Sequence, residues 1–145
     1  MTSPGPDEAA RLAALLAAEH AAVYAYGVLG ARLDDQTRLL AQEADDAHRA
    51  SRDALVALLA ARSAPAPATR AAYDVVAADQ AEALALAVRV EEGLAVRWRD
   101  LVGGTDDREL RRFAATGLIA AAVRATGWRA ATGAPRTSPL PGTAV

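Results

Sequence analysis

Apolar positions recur along this chain at spacings of three and four, the period of an amphipathic helix rather than of a strand. Leu12, Leu16, Glu19, Val23, Tyr26 and Gly30 fall on one face of a first helix, expected over about residues 7–33. Residues 1–6, with Pro4 and Pro6, predict a disordered start, and Asp7 and Glu8 suit the positive end of the helix that follows. Asp34 or Asp35 then caps a second helix, about 35–62, whose stripe reads Leu40, Ala44, Ala47, Ser51, Ala54 and Leu58. The run SAPAPA, Ser63 to Ala68, stops it, because its prolines cannot continue a helix and push the residues before them extended. Asp79 followed by Glu82 has the spacing of a capping box and opens a third helix, about 79–102, with the stripe Leu84, Val88, Glu91, Ala95, Trp98 and Leu101. Gly103 and Gly104 end it, Thr105 or Asp106 caps a fourth helix over about 106–132, and residues 133–145 form a Pro-rich tail expected to lie on the surface or fray.

The connections set the topology. The first and second helices are joined by a short turn and should lie antiparallel, as should the third and fourth. Residues 63–78 are long for a connection in a compact domain. Each helix is roughly 35–43 Å long at 1.5 Å per residue, and an extended segment of that length reaches roughly 50 Å. The link can therefore run the full length of a bundle. The expectation is an all-α four-helix bundle of two antiparallel hairpins joined by one long crossover, since an up-down-up-down order would need only a short loop.

Composition narrows the function classes. With 145 residues the chain makes one domain with a sizeable core, and 52% apolar but only 4% aromatic residues means a core of Ala, Leu and Val. A net charge of -2 and no basic stripe give no reason to expect a nucleic-acid partner. The absence of cysteine excludes disulfides, thiol nucleophiles and Cys-ligated metal. Acidic residues at the start and Arg11 in the first apolar run argue against a signal peptide, and the longest uncharged apolar stretch, Phe113 to Val123, is too short to span a bilayer. A cytoplasmic protein without a membrane segment is expected. Gly103–Gly104 is a turn rather than a phosphate-cradling loop, and no Ser-His-Asp set stands out. Gly27, Gly30, Gly93, Gly117 and Gly127, inside helices, predict close helix contacts within the bundle or between two copies in a homodimer.

Helices one and three repeat one another. Leu12, Leu16, Glu19, Val23, Tyr26 and Leu29 match Leu84, Val88, Glu91, Ala95, Trp98 and Leu101 in order and spacing, with a carboxylate inside each apolar stripe. An ionised carboxylate buried alone costs several kcal/mol, so Glu19 and Glu91 must be paired, protonated or metal-bound. Arg52, Arg124, Arg129, Tyr24 and Tyr26 are candidate partners, Arg offering a bidentate fork.

The segments EHAAVYAYGVLGARL, HRASRDALVALL, VEEGLAVRW and VRATGWRAATGAP resemble those of the actinobacterial ferritin-like domains of unknown function, from about Leu12 to the PLPG of the tail. The resemblance implies a ferritin-like bundle with one Glu on helices one and three and a Glu-x-x-His on helices two and four. Carried over, Glu19 and Glu91 take the place of the single glutamates, and Asp45 and His48 form an acid-x-x-His. The metal implied is iron or manganese. Helix four departs from the pattern: it has no His, and Ala120 and Val123 stand where its ligands would be. From the centre of the helix-two stripe, His48 lies roughly 70° off and Asp45 roughly 130° off, so Asp45 should point to water.

These readings favour a non-catalytic bundle whose metal site has decayed into a buried polar cluster of Glu19, Tyr26, His48, Glu91 and Arg124, with no cofactor. Two other readings stand beside it. One is a metal-binding oxidoreductase or iron-handling protein using Glu19, Asp45, His48 and Glu91. The other is a binder of an unspecified small molecule, with its pocket between the two acids. His20, one step from Glu19, should be interfacial or exposed, and Trp128 should pack beneath the tail.

Overall fold

The computed structural model describes residues 6–136 and 140–143, so most of the N-terminal stretch read as disordered (1–5) lies outside the described residues. Four helices follow in order: α1 (Pro6–Gly30), α2 (Asp35–Ala61), α3 (Gln80–Gly103) and α4 (Arg108–Thr132). No strand occurs among the described residues. The chain is an all-α four-helix bundle.

Local chemistry fixes the helix ends. Pro6 opens α1, where its missing N–H is no loss. The helix stops at Gly30, earlier than its periodicity indicates, and Arg38 reaches back from α2 to donate to the carbonyls of Gly30 and Leu33. Asp34 caps α2 by accepting from the Thr37 N–H at 2.9 Å. Asp79 accepts from the Glu82 N–H, while the Glu82 carboxylate accepts from Ala78 N–H, one residue before the position a capping box would use. The cap of α4 is Asp107, not Thr105 or Asp106. Thr105 is engaged elsewhere: its buried hydroxyl donates to Glu8 on α1.

Contacts at the two ends establish the direction of each helix. Arg62, just past α2, pairs with Glu8 at the start of α1 and with Asp107 at the start of α4. At the other end Asp34, between α1 and α2, exchanges hydrogen bonds with Gln80 at the start of α3. Residues 62–79 therefore run from one end of the bundle to the other, and α2 and α3 are parallel. On the way, Thr69 bonds to His20 and Tyr73 stacks on Tyr24, so the crossover lies along α1. This cover buries His20 at the interface of α1 and the crossover, the interfacial of the two places expected for it. Helix α1 packs on α2 and α3, and α3 on α4.

Two apolar clusters fill the interior. One holds Leu12, Leu16, Leu55, Leu59, Leu94, Trp98 and Leu110; the other holds Tyr26, Leu29, Ala41, Ala44, Leu84, Ala87 and Trp128. Among the helical glycines, only Gly117 answers to a close contact within the chain: a Cβ there would run into the Trp98 indole, whereas none at Gly27, Gly30, Gly93 or Gly127 would meet an atom within 4 Å. Taken whole, α1 is long and apolar enough to cross a bilayer, a feature hidden from a search for uncharged runs; half of the qualifying stretch is buried in the bundle.

The described part of the tail is docked. Pro141 and Gly142 form the centre of a turn closed by Thr143 N–H to Leu140 C=O at 3.2 Å, with Gly142 at φ +79°. Proline second and glycine third is what a type II turn demands. Here glycine is required twice over, since a Cβ would stand 2.8 Å from the Ala95 carbonyl oxygen of α3. Trp128 packs in the core against Tyr26 instead of beneath this tail.

Candidate functional site

Between the two apolar clusters, midway along α1, α2 and α3, the interior turns polar. Glu19, His48 and Glu91 are each fully buried at 0% exposure. His48 Nδ1 lies 2.8 Å from Glu19 Oε2, and Nε2 lies 2.8 Å from Glu91 Oε1. A neutral imidazole has one N–H and could donate to only one of them. Facing a carboxylate at both nitrogens, the ring is an imidazolium donating on either side. Burial opposes its charge, but the bonds to Glu19 and Glu91 outweigh burial and push the pKa up to about 9.

Glu91 is the hub. Its Oε1 also accepts from the Tyr26 hydroxyl at 2.5 Å, and its Oε2 accepts from Arg124 Nε at 3.0 Å. Burial alone would raise its pKa, yet the His48 bond and charge, with Arg124 and Tyr26, hold it below the usual carboxylate value. Tyr26 moves the other way: burial and the neighbouring Glu91 charge keep its hydroxyl protonated far beyond the ordinary range. Trp128 Nε1 donates to the Tyr26 oxygen at 2.9 Å and completes the chain. Two carboxylates thus stand against one imidazolium and one guanidinium, with one charge supplied by each helix. Glu19 Oε1 is buried with no hydrogen-bond partner among the described residues, so Glu19 is the less satisfied acid.

All five residues of the expected polar cluster, Glu19, Tyr26, His48, Glu91 and Arg124, come together, and Trp128 joins them unforeseen. The phase of α2 is corrected. Its buried face is Ala41, Ala44, His48, Leu55 and Leu59, with His48 at the centre rather than the flank, while Leu39 and Leu40 are exposed. Asp45 stays out of the cluster, half-buried and bonded to Arg49 at 2.8 Å. Of the other partners considered, Arg52 pairs with Asp53, Arg129 with Glu92, and Tyr24 stacks on Tyr73.

In this arrangement the four residues proposed as metal ligands are engaged with one another or with arginines rather than set out as an open ligand set. His48 has no lone pair to offer while it donates from both nitrogens, Arg124 brings a guanidinium onto Glu91, and Asp45 turns to Arg49. No group of three or more His, Asp or Glu side chains among the described residues is placed to hold an ion. The space between the two acids, expected as a small-molecule pocket, is filled by the imidazole.

Against known proteins, residues 10–145 match the family described as Domain of unknown function (DUF4439). The chain belongs to the DUF4439 family. A solved structure superposes on the DUF4439 bundle with a TM-score of 0.85 and 36% identity: a conserved hypothetical protein from Mycobacterium tuberculosis, matched over 89% of this chain and 99% of that one. A search of the curated proteins finds no match.

Proposed function

We propose that this DUF4439 chain is a non-catalytic ferritin-like module, cytoplasmic and homodimeric, in which His48 and Arg124 supply the positive charge that a metal supplies in carboxylate bundles of this topology. The observation that carries the reading is His48, gripped by Glu19 on one side and Glu91 on the other. Parallel α2 and α3, joined by the full-length crossover, support the ferritin-like assignment. Exposed Val56 on α2 and Ile119 and Val123 on α4 support a second copy as partner.

Purified without chelator, the protein should carry less than a tenth of an equivalent of iron or manganese, and EDTA should leave its melting temperature unchanged. Stoichiometric metal that disappears in Glu91→Ala would favour the metal-binding oxidoreductase instead. That alternative draws on Glu19 Oε1 and Asp45 Oδ1, two buried carboxylate oxygens without partners among the described residues. Sedimentation velocity at micromolar concentration checks the dimer: the expected result is a species of twice the chain mass, and a lone monomer rejects it.

A further inference from the structure

Away from the charge cluster, α1, α3 and the crossover line a broad, open groove of about 640 Å³. That volume lies in the range of small-molecule sites, roughly 300–1,000 Å³. Its floor is apolar and small, with Ala18, Ala22 and Ala25 from α1, Val90 and Leu94 from α3, and Val76 from the crossover, itself 78% exposed. The groove is elongated, its α3 side running from Leu86 to Arg97, about 16 Å at the helical rise.

Two guanidinium groups, Arg89 and Arg97, stand along one wall two turns apart. Both are exposed, and neither forms an ion pair among the described residues, so their guanidinium groups are open to an anion. The lining holds one carboxylate, Asp74, so the rim is net positive. Gly93 sits between the two arginines on the same wall. A glycine inside a helix weakens it, and here no neighbour demands one, since a Cβ would meet nothing within 4 Å. Its effect is to widen the groove.

An apolar trough with one cationic wall is complementary to a molecule with a hydrocarbon body and an anionic end. We infer that the α1–α3 groove binds an amphiphilic carboxylate, an acyl chain lying along the alanines with its head group on Arg89 or Arg97. This site is independent of the buried cluster and of whether that cluster ever held metal.

Titration calorimetry with dodecanoate, kept below its micelle concentration, tests it, with dodecyltrimethylammonium as the cationic counterpart of equal chain length. Saturable one-site binding of dodecanoate is expected, with at least tenfold weaker binding of the cation. Arg89→Glu with Arg97→Glu should weaken dodecanoate at least tenfold. Gly93→Leu should do the same by filling the trough, with an unchanged circular dichroism spectrum. If the leucine variant fails to fold, the double arginine variant at the exposed rim still decides. No saturable binding, equal affinity for both head groups, or binding indifferent to all three substitutions would overturn the proposal. So would loss of a dimer on Gly93→Leu, which would make a second copy the occupant.

Discussion

Replacing His48 by alanine should lower stability by about 3–5 kcal/mol, the cost of breaking a buried ion pair by removing one partner. For a domain of this size that corresponds to a fall in melting temperature of roughly 10–15 °C. The substitution leaves Glu19 and Glu91 buried on either side of a hole, with only Arg124 and Tyr26 on Glu91 and no partner for Glu19. Urea denaturation of the two proteins measures the difference. Removing all four charges together, with leucine at Glu19, His48, Glu91 and Arg124, should recover most of the loss, since well-packed apolar residues replace buried ion networks at little cost. A His48→Ala protein within about 1 kcal/mol of the parent would mean that the cluster does not hold the bundle together.

The second large effect is on the alkaline side of the pH profile. The folded protein holds the His48 proton up to about pH 9, whereas the unfolded chain releases it near 6.5. Between those values the folded state binds more protons, so stability falls as pH rises. The contribution is fully present below 6.5 and lost as pH passes through about 9, a change on the order of 3 kcal/mol. Glu91 acts oppositely: its lowered folded pKa contributes stability present above 4.5 and lost as pH falls through that lowered value. A plateau at mildly acidic pH, between about 4.5 and 6.5, with decline on both sides, is the expected profile. Tyr26, whose hydroxyl is held protonated, adds to the alkaline loss only above pH 10. Unfolding free energies from pH 6 to 9.5 isolate His48, and the slope should vanish in His48→Gln. A flat profile in the parent protein would contradict the imidazolium.

The sequence exposed the bundle more fully than its centre. Prolines after α2, the Asp79–Glu82 pair and the Leu84-to-Leu101 stripe mark helix ends and faces by local chemistry alone. The acids were visible too, because a Glu at the same place in two apolar stripes must find a counter-charge. What periodicity misjudged was α2. There the largest apolar residues of the first turns, Leu39 and Leu40, face outward, while a core position is taken by a histidine. A hydrophobic pattern scores His48 as polar, and only its partners on α1 and α3 make it an interior residue. Trp128, expected beneath the tail, was misplaced for a similar reason: its indole N–H answers to Tyr26, 102 residues earlier, a relation no local window contains. The tail was legible only as a Pro-rich segment; neither the turn at Pro141–Gly142 nor its seat on the Ala95 carbonyl could be read from it.

The way the four charges are distributed has a consequence for how the bundle assembles. In each hairpin the first helix brings the acid and the second the base: Glu19 with His48, then Glu91 with Arg124. Either half is self-neutral before it meets the other. When the two hairpins close on one another, neither carries an uncompensated charge into the shared interior.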